Sequence, residues 1–131
     1  MSVCKIFLSS SIFILSLSSA RALDADTKRQ LMKLEPRARL EQTCDTEAMK
    51  HISHDDKGYA ADKVIAYTFK DPIVEQNSIT APGAVFRSKG EWYHLSYQCN
   101  TEPEHVEVHA LHYEIGGKVP RSEWEQYYLY D

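Results

Sequence analysis

The chain has 131 residues, enough for one domain, and it carries 15 basic against 19 acidic residues for a formal net charge of −4. A nucleic-acid or anionic-membrane partner requires a clustered basic face, and the sequence contains no run of lysine and arginine that would supply one. The composition therefore argues against both partner classes. Because a chain of this size builds only a modest core, we expect a covalent cross-link to contribute to its stability.

The first residues have the pattern of a secretory signal peptide. Lys5 forms a short basic head, an apolar run follows, and Ala-Arg-Ala at residues 20–22 matches a cleavage site. The apolar run is too short to span a bilayer, so we predict cleavage after Ala22 and no stable membrane span after processing. This interpretation divides the chain into a signal peptide, residues 1–22, and a single periplasmic or secreted domain, residues 23–131.

Two cysteines remain once the leader, which contains Cys4, is removed. In an oxidising compartment Cys44 and Cys99 are then the one possible pair. Neither lies in the Cys-x-x-Cys spacing of a redox or metal motif. We therefore predict a Cys44–Cys99 disulfide, and the chain-entropy model assigns a loop of this length about 4 kcal/mol of stabilisation.

The first part of the domain has the pattern of helices. Residues 24–34 are predicted as a short helix, and Pro36 fits the first turn of a second one. In the second helix apolar residues recur every fourth position and place Cys44 on the core side. This stripe is formed by Leu40, Cys44, Ala48 and Ile52. Asp45 and Thr46 can also cap a new helix, so one broken helix and two short helices both fit.

The remainder of the domain is predicted to form an antiparallel meander. The expected strands are residues 64–69, 84–86, 91–99 and 106–115. One face of the third strand carries Tyr93, Leu95, Tyr97 and Cys99. A bond from Cys44 would dock the helices on that face. The predicted fold class is α+β: N-terminal helices packed on an antiparallel meander of about four strands, with a short C-terminal helix opened by Pro120.

No catalytic motif is present in the sequence, so we name no catalytic residue and no cofactor. The histidines allow one alternative, a metal site on the sheet. The register of the last two strands is described by the sum of the two residue numbers in each cross-strand pair. If this sum is about 203 to 205, His94 lies opposite or diagonal to His109, with Glu107 on the same face. Two imidazoles and a carboxylate can bind zinc. The simpler interpretation is an ordinary polar outer face without a metal.

Eight tyrosines form the other notable feature of the composition. One interpretation is that Tyr67, Tyr93, Tyr97 and Tyr113 close a small core while an aromatic C-terminal cluster with Trp124 covers part of the sheet. The other is an aromatic surface that binds a protein or a sugar, because rigid amphipathic rings lose little entropy on docking. Both interpretations fit the sequence.

Several segments together have a specific pattern. They are LEPRARLEQTCD (34–45), VIAYTF (64–69) followed by Asp71-Pro72, APGAVFR (81–87), W-Y-x-L-x-Y-x-C (92–99), Y-E-I-G-G-K-V-P (113–120), and Trp124 with Leu129-Tyr130. In these segments the chain resembles the alphaproteobacterial envelope family catalogued as domain of unknown function 930. The resemblance implies a secreted or periplasmic Gram-negative protein and places both cysteines inside the motifs. It implies no activity, because none is assigned to the family.

The sequence thus favours a small disulfide-linked module without enzymatic activity. We expect it to bind an envelope protein or a cell-wall component through a face of its sheet or through its aromatic C-terminal end. The alternative is a metal-binding protein that uses His94, Glu107 and His109.

Overall fold

A computed structural model describes residues 18–131, with side chains from residue 25 onward. Residues 1–17 of the predicted signal peptide lie outside the described residues, and cleavage after Ala22 stays a prediction. Two helices come first, α1 at Ser18–Met32 and α2 at Pro36–Asp55.

Helix α2 is continuous through the point where the sequence allows a break. Asp45 does not cap a new helix, because its carboxyl group accepts a hydrogen bond from the Tyr97 hydroxyl at 2.6 Å. Both alternatives, one broken helix and two short ones, are therefore wrong. The start of α2 agrees with the prediction: Pro36 is its first residue, and the Glu35 carboxylate caps it by accepting from the Arg37 backbone N–H at 3.0 Å.

A five-stranded antiparallel sheet follows the helices. Its strands are β1 Ala61–Ile65, β2 Ile73–Val74, β3 Ser78–Ser88, β4 Glu91–Thr101 and β5 Val108–Lys118. Their order in the sheet is β1-β3-β4-β5, and the short β2 pairs with β3. A helical turn, α3 at Arg121–Trp124, and a 3-10 turn at Glu125–Tyr127 come after β5. The α+β prediction is confirmed, with five strands in place of about four.

Two strands are longer than predicted. The sequence predicts a strand that begins at residue 84, but β3 begins at Ser78 and absorbs Pro82 and Gly83 as a bulge. Gly116, expected to end the last strand, lies within β5. A Cβ atom at Gly116 would lie 2.8 Å from the Cβ of His94, so the close approach of β4 and β5 requires glycine there.

The first strand begins and ends earlier than predicted. It ends at Ile65 because the chain turns after β1. The Phe69 backbone N–H donates to the Gly83 carbonyl oxygen at 2.8 Å. Gly83 permits this crossing, since a Cβ atom there would overlap the backbone of Lys70. Residues 66–69 therefore follow the turn instead of extending β1, and Phe69 bonds to the bulge of β3.

Helix α2 packs on one face of the sheet, called here the inner face. The Cys44–Cys99 disulfide joins α2 to β4 with the two Cα atoms 6.0 Å apart, and both residues are buried. The helix therefore docks on the face of β4 that the sequence predicts. Other buried residues of this core include Leu40, Ala48, Ile52, Ile79, Phe86 and Leu95.

C-terminal residues cover one end of the opposite, outer face. The buried residues of this second core are Val85, Trp92, Val119, Trp124 and Leu129. The indole N–H of Trp92 donates to the Tyr130 carbonyl oxygen at 2.9 Å, and that of Trp124 donates to the Val119 carbonyl oxygen at 3.0 Å. The outer face is thus core at one end and polar at the other.

A buried carboxyl–phenol pair connects α2 to the sheet beside the disulfide. Asp45 is 4% exposed and Tyr97 is 2% exposed. Burial raises the pKa of the Asp45 carboxyl from 3.8 to about 7, although the Tyr97 hydrogen bond opposes this rise. Burial and the neighbouring Asp45 also raise the pKa of the Tyr97 hydroxyl, so this phenol stays protonated and donates.

Reduction of Cys44–Cys99 is expected to lower the free energy of unfolding by roughly 4 kcal/mol, because the bond closes a long loop in the unfolded chain. Urea unfolding of the oxidised and reduced protein measures this difference. A variant carrying both Cys44→Ala and Cys99→Ala should unfold near the midpoint of the reduced protein. Equal midpoints for the oxidised and reduced forms would contradict a stabilising role.

Stability should fall as the pH rises from about 4 to about 7, because the folded pKa of Asp45 exceeds the unfolded value and the folded state holds the proton longer. The contribution of Asp45 to the free energy of unfolding is fully present below its unfolded pKa and is lost as the pH rises through its folded pKa. This contribution amounts to at most about 4 kcal/mol. We expect Asp45→Asn to remove most of the slope in urea unfolding at several pH values, and Glu41, whose pKa is also raised by burial, to contribute the remainder.

The matched control is Asp71→Asn, which changes an exposed carboxylate and should keep the slope. Tyr97→Phe should extend the slope above pH 7, since it removes the hydrogen bond that lowers the Asp45 pKa. A slope that survives undiminished in Asp45→Asn would show that another group causes it.

Candidate functional site

An open polar groove occupies the uncovered end of the outer face. It encloses a cavity of about 520 Å³. We call it the outer groove. The side chains of its floor come from three adjacent strands and are Thr80, Pro82, Ser96, Gln98, His112 and Glu114. All six are exposed or half-buried. The groove is therefore open to a ligand along its length.

Strand register aligns these residues in two rows across the sheet. Gln98 on β4 pairs with Thr80 on β3 and with His112 on β5, which makes the first row. Ser96 pairs with Glu114 to make the second row, and the β3 bulge places Pro82 beside it. Since directly paired residues point to the same face, each row presents its side chains to the groove.

The polar side chains of the outer groove have hydrogen-bonding capacity that the fold does not use. Among the side chains that the structure describes, none bonds to these groups in a hydrogen bond or an ion pair. Two hydroxyls, an amide, an imidazole and a carboxylate together offer both donors and acceptors. Such a surface can bind a ligand that also carries both kinds of group.

A stack of three rings borders the groove on the side of the C-terminal cover. The His94 ring packs on Phe69 with centroids 4.5 Å apart, and Phe69 packs on Tyr127 at 4.3 Å. His94 and Ser96 alternate on β4 and share the outer face. Tyr127 also lines a second cavity of about 390 Å³, so the stack lies between the two cavities.

The tyrosines divide between core and surface. Tyr97 is buried in the inner core, and Tyr93 and Tyr113 pack against it. Tyr67, predicted to close the core, is 58% exposed because it follows β1 instead of lying within it. Tyr67 and Tyr128 line the second cavity, and Tyr128 is 78% exposed. An exposed aromatic surface therefore exists at the C-terminal end, as one of the two interpretations proposes.

The residues of the alternative metal site are held apart. Paired residues of β4 and β5 sum to 210, as Leu95 with Ile115 shows, rather than to about 203 to 205. His94 therefore lies beside Gly116 at one end of the hairpin, and His109 lies at the other, roughly 23 Å away along the strands. Within residues 25–131 no group of three His, Cys, Asp or Glu side chains could hold a metal ion.

The register differs because the connection between β4 and β5 is a structured loop centred later than predicted. Within it the Glu102 carboxylate accepts from the backbone N–H groups of Val106 at 2.6 Å, Glu104 at 2.7 Å and Glu107 at 3.0 Å. These bonds lower the pKa of Glu102, although its partial desolvation acts in the opposite direction. Glu107 lies beside this loop and forms an exposed ion pair with Lys28 at 3.5 Å.

His105 has a structural position rather than a place in the groove. Its ring is largely buried, and its Nδ1 lies 3.0 Å from the Pro36 carbonyl oxygen. Nε2 lies 2.8 Å from the Gln76 carbonyl oxygen. The ring therefore joins the β4–β5 loop to the start of α2 and to the connection before β3. His105 thus serves as a bridge within the fold.

Sequence reasoning did not single out the residues of the outer groove. The available signal was alternation: Ser96 and Gln98 occupy every second position of β4, and His112 and Glu114 do so on β5. Alternation shows that each pair shares a face. It does not show which residues of the three strands lie side by side, and that depends on the register.

Comparisons with known proteins identify a family. None of the helices within residues 18–131 has the length and apolarity needed to cross a membrane. Neither a curated protein nor a solved structure matches the chain. A family model described as Domain of Unknown Function (DUF930) matches residues 31–129, which include both cysteines, all five strands and the whole outer groove. The chain therefore belongs to the DUF930 family.

Proposed function

We propose that the protein is an extracytoplasmic, non-enzymatic binding module whose outer groove binds a glycan of the cell wall. The observation that carries this proposal is the set of unpaired polar side chains aligned in two rows on three neighbouring strands. A rigid sheet that presents donors and acceptors without internal partners is pre-organised for a hydrogen-bonding ligand.

Glycans fit the chemistry of this surface. Each sugar hydroxyl both donates and accepts, and so do the Thr80 and Ser96 hydroxyls and the Gln98 amide. The single carboxylate, Glu114, and the imidazole of His112 give the groove no strong charge of either sign. A phosphate-rich or strongly basic ligand is therefore a poor match, whereas a neutral hydroxyl-rich chain is a good one. The open ends of the groove suit a polymer.

Binding is favoured over catalysis by the exposure of the two titratable groups. His112 and Glu114 are both exposed to water. Catalytic acids and bases are generally desolvated and held by further side chains, which tunes their proton affinity. The buried titratable pair of this fold, Asp45 with Tyr97, faces α2 on the opposite side of the sheet. The groove therefore has the properties of a recognition surface.

An extracytoplasmic location is supported by the disulfide and by the leader sequence. Disulfides persist in oxidising compartments such as the periplasm, and Cys44–Cys99 lies in the core where it links α2 to β4. The pattern of residues 1–22 is that of a secretory signal peptide. Both features agree with a ligand in the cell wall.

The proposal is tested with soluble peptidoglycan fragments as the probe, titrated into the protein by calorimetry. We expect the double variant Thr80→Ala with Gln98→Ala to weaken binding about tenfold or more, because it removes two hydrogen-bonding groups from the first row. Neither side chain has a hydrogen-bond partner in the part of the chain that the structure describes, so the fold should be unaffected.

Gln76→Ala is the matched control, since it removes an exposed amide outside the groove and should leave the affinity unchanged. Fragments that do not bind, or that bind the double variant as tightly as the parent protein, would overturn the proposal. A protein ligand that competes at the same residues while glycans fail would assign the groove to a different class of partner.

A further inference from the structure

The outer side of β5 is an uncovered sheet edge. β5 is the last strand in the order β1-β3-β4-β5, and within residues 18–131 no strand pairs with its outer side. Its 11 residues make it as long as the central strands. An edge of this length presents a row of free backbone N–H and C=O groups, which is a template for another strand.

The positions of two backbone bonds show which groups are free. The Thr101 N–H donates to the Asn77 carbonyl oxygen on the β3 side, so the odd-numbered residues of β4 bond toward β3. The Trp92 carbonyl oxygen accepts from Val119, so the even-numbered residues bond toward β5. Even residues of β5 are paired with even residues of β4, as Gln98 with His112. The odd residues Leu111, Tyr113 and Ile115 therefore have outward-facing backbone groups.

The sequence of β5 is complementary to itself around Tyr113. In an antiparallel pair of two β5 strands centred there, each Leu111 lies opposite the partner's Ile115. Each His112 lies opposite the partner's Glu114, a pair that can form a hydrogen bond or an ion pair. The two Tyr113 residues lie opposite each other at the centre. Because Tyr113 has outward-facing backbone groups, both strands can exchange backbone hydrogen bonds at this centre.

The middle of the edge also lacks three features that hinder pairing. From Ala110 to Ile115 it contains no proline, no lysine and no register shift, and the register shifts of β5 lie near its two ends. Leu111, Tyr113 and Ile115 are only half-buried against the inner core. A second strand would cover these side chains further, which removes apolar surface from water.

We infer that β5 binds β5 of a second copy of this chain around a two-fold axis at Tyr113. The result is a homodimer with one sheet that is continuous across both copies, an isologous contact of the kind closed dimers use. This inference goes beyond the proposed function. It also places the two outer grooves side by side on one face, because His112 of each copy meets the partner's Glu114.

The inference is tested by placing two like charges opposite each other at the edge. The dimer is then measured by sedimentation equilibrium, with protein that has been processed in its own host. His112→Glu sets a glutamate opposite the partner's Glu114 on both sides of the axis, and it should raise the dimer dissociation constant at least about tenfold. His112 is exposed and has no hydrogen-bond partner among the side chains of residues 25–131, so the variant should fold. The swapped variant, His112→Glu with Glu114→His, restores opposite pairs and should restore the dimer.

Hydrogen exchange gives the independent readout. In the dimer the amides of Leu111, Tyr113 and Ile115 should exchange more slowly as protein concentration rises, while the paired amides of His112 and Glu114 should not change. A protein that stays monomeric at every concentration overturns the inference, as does a dimer that His112→Glu leaves intact. The glycan test depends on Thr80 and Gln98 instead, so a monomer that binds glycan would refute the dimer alone.

Discussion

Strand β4 is buried on one face along its length and on the other at one end, and the rest of the structure depends on this constraint. Its odd-numbered residues, including Leu95, Tyr97 and Cys99, lie under α2. Its even-numbered residues begin with Trp92 in the C-terminal core and continue to Gln98 in the open groove. A shift of register by one residue would put Cys99 on the wrong face, out of reach of Cys44, and would expose the indole of Trp92. The disulfide and the two cores therefore specify the same face for each residue of β4, and they leave its even-numbered residues to line the groove.

How far the sequence predicts this fold depends on the range of the interactions involved. Local alternation on β4 is enough to predict which face carries Cys99, and cysteine counting is enough to predict its partner Cys44. The helical stripe through Leu40 and Ile52 is also local. These features are confirmed by the structure. The bulge at Gly83 is different, because only the crossing of Lys70 over it explains why a proline-glycine pair sits inside a strand.

The groove was harder to predict because its residues come together through register across three strands. The register of β4 and β5 is set by the loop in which Glu102 binds three backbone N–H groups and His105 bridges α2 to the segment before β3. Neither contact has a short-range sequence signal. A hairpin turn placed earlier in the sequence pairs His94 with His109, whereas the observed register makes Gln98 and His112 neighbours. The hairpin register was mispredicted because the local bonds of Glu102 follow no recognisable motif and the contacts of His105 are long-range.

The position of the disulfide has a mechanical consequence. Cys44 and Cys99 are 55 residues apart, and the strands β1 to β3 lie between them. If tension is applied to the two ends of the domain, the bond carries the load from α2 directly into β4, and the intervening segment cannot be drawn out. At about 3.5 Å per extended residue, the bond withholds roughly 190 Å of contour length. A protein attached at one end to a wall polymer and pulled at the other would thus keep β1 to β3 inside a closed loop.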